Sequence, residues 1–442
     1  MSEENLNHLA IESGFKVRES KISPKIFIDS LLFNASSEIK KSLNNLSIEI
    51  KQNFNVDVSK QGLNDRYTEK AANYLKDVLT QFCFALKKPI DEGWLGLFNN
   101  IRIKDSTKFV LPEEYAKEMK GFGGVSSKSA TCIQYEFDLK TGSMLDLDIT
   151  PANRPDSTDA SETKDNINLN DLVIRDLGYY STKVLEYFIK QGAFLISKLN
   201  VKTLVYEMKK EKYVQINFGK LYEWMSKNKL TQIEKQVYIG LETKLPVRLI
   251  IDLVPDEVFN QRMLKVNKYN KRKGYKTSDE YAHRSRFNLI ITNIPLDNIP
   301  AQAIIALYHT RWQIELIFKI WKSTFGIHKI GKMKFYRWLS NLYAKLILIA
   351  IYWQTILENR SHLYKAKGKL LSLDKCFKTL KDKTQNLREA IRQEDKEIFV
   401  QFMVSIIETI SDKHWLEKKK NKLNFEQTIY LLYCKSNIYV YI

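Results

Sequence analysis

The stretch "YHTRWQIELIFKIWK", Tyr308 to Lys322, decides how the chain is read. At about 100° per residue, Arg311, Glu315 and Lys322 fall within roughly 60° of Tyr308 on one helix. Leu307, Ile314, Ile317, Phe318 and Trp321 gather on the opposite side. One face is apolar enough to pack, and the other carries a tyrosine, two cations and a carboxylate. A solvated face with an ordinary Arg–Glu pair at i, i+4 accounts for the same residues. The spacing predicts one helix, starting after the first-turn residue Pro300 and ending near Gly326. The rest of the chain must separate the two readings.

With 442 residues the chain has room for two or three domains. Apolar residues make up 44%, including 23 Tyr and 22 Phe, so a sizeable core can form. Lys and Arg number 70 against 51 acids, a net charge of +19. Such an excess concentrates polyanions and favours phosphate contacts, although a merely soluble basic protein would share it. Cys83, Cys132, Cys376 and Cys434 form no CxxC pair, which argues against a zinc site or a disulfide framework and fits a reducing cytosol. "MSEENLNHLAIESG" is acidic and polar, unlike a signal peptide. The longest unbroken apolar run of the greasiest segment, Leu346 to Trp353, is too short to span a bilayer and reads as a buried helix.

Residues from about 24 to 88 have helical spacing, with Pro24 and Ser36 as starts and a break near Gly62. Helix, break, helix is compatible with a helix-turn-helix whose second helix enters a major groove, and equally with a small bundle. After Gly93 the texture changes. "NIRIKD" reads as a strand ending at Asp105, and "ATCIQYEFDL" and "MLDLDIT" as a hairpin around "KTGS". "DLVIRD" reads as a strand ending at Asp176, "STKVLEYFIKQG" as a helix closed by Gly192, and "AFLISKL" as a further strand. That order describes a mixed sheet with helices against it. Between 200 and 295, "KTLVYEM", "KYVQINF", "KQVYIGLE", "VRLIIDLV" and "FNLIITNI" are strand-like, and "KLYEWMSKN" reads as an amphipathic helix with Trp224 packing on its neighbours. From Arg262 to Arg286 there are nine Lys or Arg and two acids. The remainder to about 425 is mostly helical, and the tail "TIYLLYCKSNIYVYI" is apolar.

Two strands thus end in carboxylates, Asp105 and Asp176, and Glu315 lies on the polar face of a later helix. If that helix packs across the sheet, three carboxylates converge and repel unless a cation neutralises them. Hard oxygen ligands suit Mg²⁺ or Mn²⁺. Two such ions about 3.5–4 Å apart serve in-line phosphoryl transfer. Asp105 before "STKF" also reads as a turn or N-cap residue, and Asp176 before "LGYY" as an Asx-turn residue. Asp138, Asp146 and Asp148 on the hairpin are rival carboxylates.

The spacing Y-(2)-R-(3)-E-(6)-K, met by Tyr308, Arg311, Glu315 and Lys322, resembles the hallmark of the IS-four family of bacterial insertion-sequence transposases. "IRIKDSTKFVLP" resembles that family's first aspartate motif, with Ser106 where Gly or Thr is common, and "VIRDLGYYS" resembles the second. The resemblance spans roughly residues 25 to 360 and implies a DDE transposase of mixed α/β fold. Its RNase H-like catalytic core, 96–199 and 296–360, would be interrupted by a β-rich insertion domain at 200–295. A helical N-terminal DNA-binding domain at 1–95 and a helical C-terminal region at 361–442 would flank it. Asp105, Asp176 and Glu315 would be the catalytic metal ligands for two Mg²⁺ or Mn²⁺ ions. Tyr308, Arg311 and Lys322 would contact phosphates beside the scissile bond.

Further DNA contacts are expected from Lys60 and Arg66 in the helical N-terminal region. The basic stretch would add Arg262, Lys265, Lys268, Lys271, Arg272, Lys273, Lys276, Arg284 and Arg286. Implied partners are double-stranded DNA, as transposon ends and target, and a second copy of the chain in a synaptic homodimer. The implied place is the bacterial cytoplasm, at the nucleoid. The implied function is cleavage at element ends and joining of 3′-OH ends to target DNA. A non-catalytic, transposase-derived repressor and a stand-alone metal nuclease are the rival classes. Terminal inverted repeats around the coding region separate the first rival, and strand joining separates the second. The sequence leaves a hairpin excision route open.

Overall fold

Ile101 and Ile103 alternate with Arg102 and Lys104, and this period of two starts the sheet as β1 (Ile101–Val110). The computed structural model describes residues 1–35, 41–84, 96–123, 127–367, 369 and 371–417. The expected helix start at Ser36, the helical stretch past residue 84 and the apolar tail lie outside the described residues. β1 does not end at Asp105. Thr107, Phe109 and Val110 carry it onward, paired as far as Val110 with Ala130 of β3 (Ser127–Asp138), and β2 (Lys120–Gly123) borders β3. Asp105 therefore sits in mid-strand, not in a turn or at a helix cap.

The hairpin is β3 with β4 (Met144–Pro151). The Asp138 carboxylate closes its turn by accepting from the backbone of Ile101, Lys140 and Thr141, which removes it from the rival carboxylates. β5 (Leu172–Arg175) and β6 (Phe194–Lys198) run parallel to β1, whereas β3 is antiparallel to it. The expected insertion supplies β7 (Val205–Lys209), β8 (Lys212–Gln215), β9 (Gln232–Ile239), β10 (Leu245–Leu253) and β11 (Phe287–Thr292). These strands extend the same sheet, because β11 pairs with β6 and the order runs β2-β3-β1-β5-β6-β11-β10-β9-β7-β8.

Five helices precede the sheet: α1 (Glu3–Glu12), α2 (Pro24–Leu32), α3 (Leu43–Phe54), α4 (Lys60–Asn64) and α5 (Glu69–Phe84). α2 starts at Pro24 as expected, with the Ser23 side chain accepting from the Ile26 amide. α3 starts at Leu43, where Ser42 caps the Asn45 amide. Ala71, Ala72, Tyr74, Leu75, Val78 and Leu79 bury one face of α5. Its other face mixes Glu69, Lys70, Lys76 and Asp77, with Lys76 paired to Asp148 at 3.1 Å. α5 is thus packed on one face and charge-balanced on the other.

α6 (Asp156–Glu162), α7 (Thr182–Lys190), α8 (Phe218–Lys227), α9 (Asp256–Lys273) and α10 (Asp279–Ser285) are interleaved with the strands. α8 buries Phe218, Leu221 and Met225, but Trp224 is 49% exposed, so the expected packing of Trp224 does not occur.

The single helix expected after Pro300 is two helices, α11 (Ala301–His309) and α12 (Trp312–Ser323). Thr310 donates its hydroxyl to the Leu307 carbonyl at 2.6 Å, and tight turns through Thr310 and Arg311 break the chain there. α13 (Phe335–Lys367) buries Leu346 to Ala350 and Tyr352 as expected. No helix among the described residues is long and apolar enough to cross a membrane.

α14 (Leu373–Asp382), α15 (Thr384–Arg392) and α16 (Lys396–Lys413) follow. α15 is tied to the N-terminal helices by Arg388, which pairs with Asp29 at 2.6 Å and with Glu49, and by Arg392, 2.7 Å from Asp29. One core joins Ile101, Ile103, Ile174 and Ile196 to α11–α13 and the N-terminal helices. A second, on the other face, joins Val173 and Leu195 to α7, α8 and the later strands.

Candidate active site

Three parallel strands carry the site in one row. Ile103 pairs with Ile174, and Ile174 with Ile196, all three fully buried on one face. Two residues further on, the same face receives Asp105, Asp176 and Lys198. Asp176 keeps extended backbone just past β5. α12 lies over β1 and holds Glu315 in its first turn.

Arg311 links helix to sheet. Its Nη1 donates to Asp105 Oδ2 at 2.9 Å and its Nη2 to Glu315 Oε1 at 2.7 Å. Burial pushes the Asp105 carboxyl up to about 6. The Ser106 amide and Arg311 oppose that shift, while Asp176 and Glu315 add to it. The three sequence-predicted carboxylates therefore feel one another, with Arg311 as the cation between two of them. Among the described residues no group of three carboxylate, imidazole or thiol side chains is drawn close enough to hold an ion. The donors nevertheless fit a hard divalent cation: all are carboxylate oxygens, and a guanidinium already neutralises two of them.

The other residues of the motif separate. Tyr308, on α11, is buried, not on an exposed face shared with Glu315. Its hydroxyl lies beside Arg311 without a hydrogen bond of good geometry, and burial followed by nearby carboxylates raises its pKa against the pull of Arg311. Lys322 reaches the Lys108 carbonyl at 3.4 Å, further along β1 from Asp105, and burial lowers its pKa. The apolar face is as expected, with Leu307, Ile314, Ile317, Phe318 and Trp321 all buried.

The expected DNA contacts divide into two sets. Arg66 donates to Ser20 Oγ at 2.9 Å and the Ile22 carbonyl at 2.8 Å, with its guanidinium over Phe15. Arg284 is buried, bonded to the Val201 and Thr203 carbonyls. Arg262 holds the Ser285 and Phe287 carbonyls, and Arg286 lies on Phe259 and Tyr222. These four arginines fasten the fold. Lys60, Lys265, Lys268, Lys271, Arg272, Lys273 and Lys276 are exposed, most of them along α9, which buries no residue.

Lys198 is the residue that reading the sequence missed. The signal was present: "IKD", "IRD" and "ISK" place an acid, an acid and a lysine at the same offset after an inward Ile.

A parallel β1-β5-β6 unit with an antiparallel hairpin on β1, two aspartates in one row and a Glu-bearing helix above them define an RNase H-like core of the phosphoryl-transfer class. The chain belongs to the DDE transposase family, since the family model described as "Transposase DDE domain" matches residues 96–353. The transposase for insertion sequence element IS231E of Bacillus thuringiensis subsp. finitimus is 30% identical over 412 residues, covering 89% of this chain and 85% of that protein. The transposase for IS1151 of Clostridium perfringens is 28% identical over 391 residues, covering 85% and 82%. A piggyBac transposase synaptic complex with hairpin DNA shares 12% identity at a TM-score of 0.46, covering 96% of this chain and 84% of that one. The chain is accordingly a DNA transposase, and its family uses divalent metal ions.

Proposed function

We propose that this transposase binds the terminal inverted repeats of an insertion sequence, cleaves at the element ends and joins the 3′-OH ends to target DNA. The observation that supports this best is the row of Asp105 and Asp176 with Glu315 joined to it through Arg311. Asp105, Asp176 and Glu315 would hold two Mg²⁺ or Mn²⁺ ions. Bound there, the ions supply Lewis acidity and an activated oxygen nucleophile. Arg311 neutralises Asp105 and Glu315 in the metal-free chain and is placed to take a phosphate in its bidentate fork. Lys322 supplies a point charge further along β1. The exposed cations of α9 add a sequence-independent grip on the backbone. A second copy of the chain would complete a synaptic homodimer in the bacterial cytoplasm, at the nucleoid. The test is metal-dependent cleavage and joining of a duplex carrying the ends that flank the coding region. Cleavage without joining would indicate a nuclease instead.

Arg311→Ala and Lys322→Ala are expected to weaken engagement of the cleaved end by about 1.5–3 kcal/mol each, as for charged hydrogen bonds. Cutting should survive at saturating protein in single-turnover titrations. A Lys322→Ala chain as inactive as Glu315→Ala under those conditions would give Lys322 a direct part in the chemical step.

Replacing Lys265, Lys268 and Lys271 together by Gln should reduce the slope of log K against log salt by roughly 0.9 for each phosphate left without its cation. Binding should weaken equally on unrelated DNA. An unchanged slope would make α9 a solvated helix.

A further inference from the structure

Lys198 ends β6 two residues beyond Ile196, as Asp176 lies two beyond Ile174, its partner on β5. It is exposed, on the face of the sheet that carries Asp105 and Asp176. Among the described residues its ammonium has no hydrogen bond and no ion pair. Its Nζ lies 5.7 Å from the Tyr308 ring centroid. An exposed ammonium with no paired anion is free to meet a docking phosphate. Lys322 stands at the other flank of the row, at Lys108 of β1. A polyanionic strand laid across the carboxylates would therefore meet one ammonium on either side.

We propose that Lys198 is a phosphate-binding residue for the DNA strand engaged at the carboxylate row, on the flank opposite Lys322. The inference rests on the transposase reading and adds a positioning residue to it. Tyr308 then acts through Lys198, because its buried ring faces the ammonium.

The test is binding of a fluorescent duplex carrying the element's own end, with metal chelated, over a series of salt concentrations. Lys198→Met keeps an unbranched side chain of similar length and removes the charge. It is expected to weaken binding about 10- to 100-fold. The log–log salt slope should fall by about 1. Lys198→Arg should recover most of the affinity, and the melting temperature of Lys198→Met should stay close to that of the unmutated chain. Unchanged affinity in Lys198→Met overturns the proposal. So does a weakening that leaves the salt slope intact and is not recovered by Arg, which is the signature of packing on Tyr308. Should Lys198→Met fail to fold, Lys198→Gln is read in the same assay by the same criteria. Metal-dependent cleavage by the unmutated chain is measured in parallel. A chain that binds the end through Lys198 but never cuts it sinks the proposed end cleavage and joining and leaves the lysine–phosphate interaction standing.

Discussion

Glu315→Ala, Asp105→Ala and Asp176→Ala are each expected to lower single-turnover cleavage of end-containing DNA by about 10³-fold or more, at every Mg²⁺ or Mn²⁺ concentration. Removing a metal ligand takes away several kcal/mol of transition-state stabilisation, and each 1.36 kcal/mol is tenfold in rate. The affinity for the same duplex should change only a few-fold, because the proposed phosphate contacts come from other side chains. Full activity in any one variant would remove that residue from the metal set.

Asp105 allows a second readout. Its folded pKa, about 6, lies above the ordinary 3.8, so the fold prefers the neutral form. Its contribution to stability is fully present below about pH 4 and is lost as pH rises through about 6. Asp105→Asn mimics the neutral form. It should be inactive yet more stable at neutral pH, by at most about 2–3 kcal/mol, less what Arg311 loses with its partner. It should also lack the fall in stability between about pH 4 and 6. Thermal melts at several pH values check this, and a less stable Asn variant would mean that the Arg311 pair outweighs burial.

The succession of core strands was legible because they are apolar and punctuated, and Asp105 and Asp176 stood out because "IKD" and "IRD" repeat one pattern. The strand limit at Asp105 was misread because aspartate is depleted in strands, whereas here pairing along β3 overrides that local preference. The break at Thr310 was invisible because the apolar spacing from Leu307 to Trp321 is helical on both sides of it. The break lies in the backbone, where the Arg311, Gln313 and Ile314 amides turn to carbonyls three residues back, and Arg311 is anchored by an aspartate distant in sequence. Charge counting gave the sign of the stretch from Arg262 to Arg286 but not the direction of each side chain. Arg262 turns inward to the carbonyls where α10 meets β11, and Arg284 to the Val201 and Thr203 carbonyls between β6 and β7, partners that only the folded chain brings near.

On the other face of β1, opposite Asp105, lies a buried ionic network with its own consequence for the site. Glu136 of β3 accepts from Arg102 of β1 at 2.8 Å and from Arg175 of β5 at 3.0 Å, and Arg102 also reaches Asp171 at 3.3 Å. All four side chains are buried. Burial alone would raise the Glu136 carboxyl, but Arg102, Arg175 and Lys104 outweigh it and hold it far below the usual range. Glu136→Ala leaves two buried guanidinium groups short of their anion. It should cost about 3–5 kcal/mol, read from denaturant unfolding at neutral pH. The sign with pH is opposite to that of Asp105. A depressed carboxyl contributes stability above its unfolded pKa and loses it as pH falls towards the folded one, so the variant should have a flatter acid limb. The network also pins β3, β1 and β5 against one another. A one-residue slip of β1 would turn Asp105 away from Asp176 and Glu315. Cleavage by Glu136→Ala should therefore fall with its folded fraction and return on cooling or with bound end DNA, whereas Asp105→Asn stays inactive however stable it is. A Glu136→Ala chain that is fully folded and fully inactive would show that the network positions Asp105 without stabilising the sheet. One that unfolds within about 1 kcal/mol of the unmutated chain would mean that water or nearby carboxylates replace Glu136.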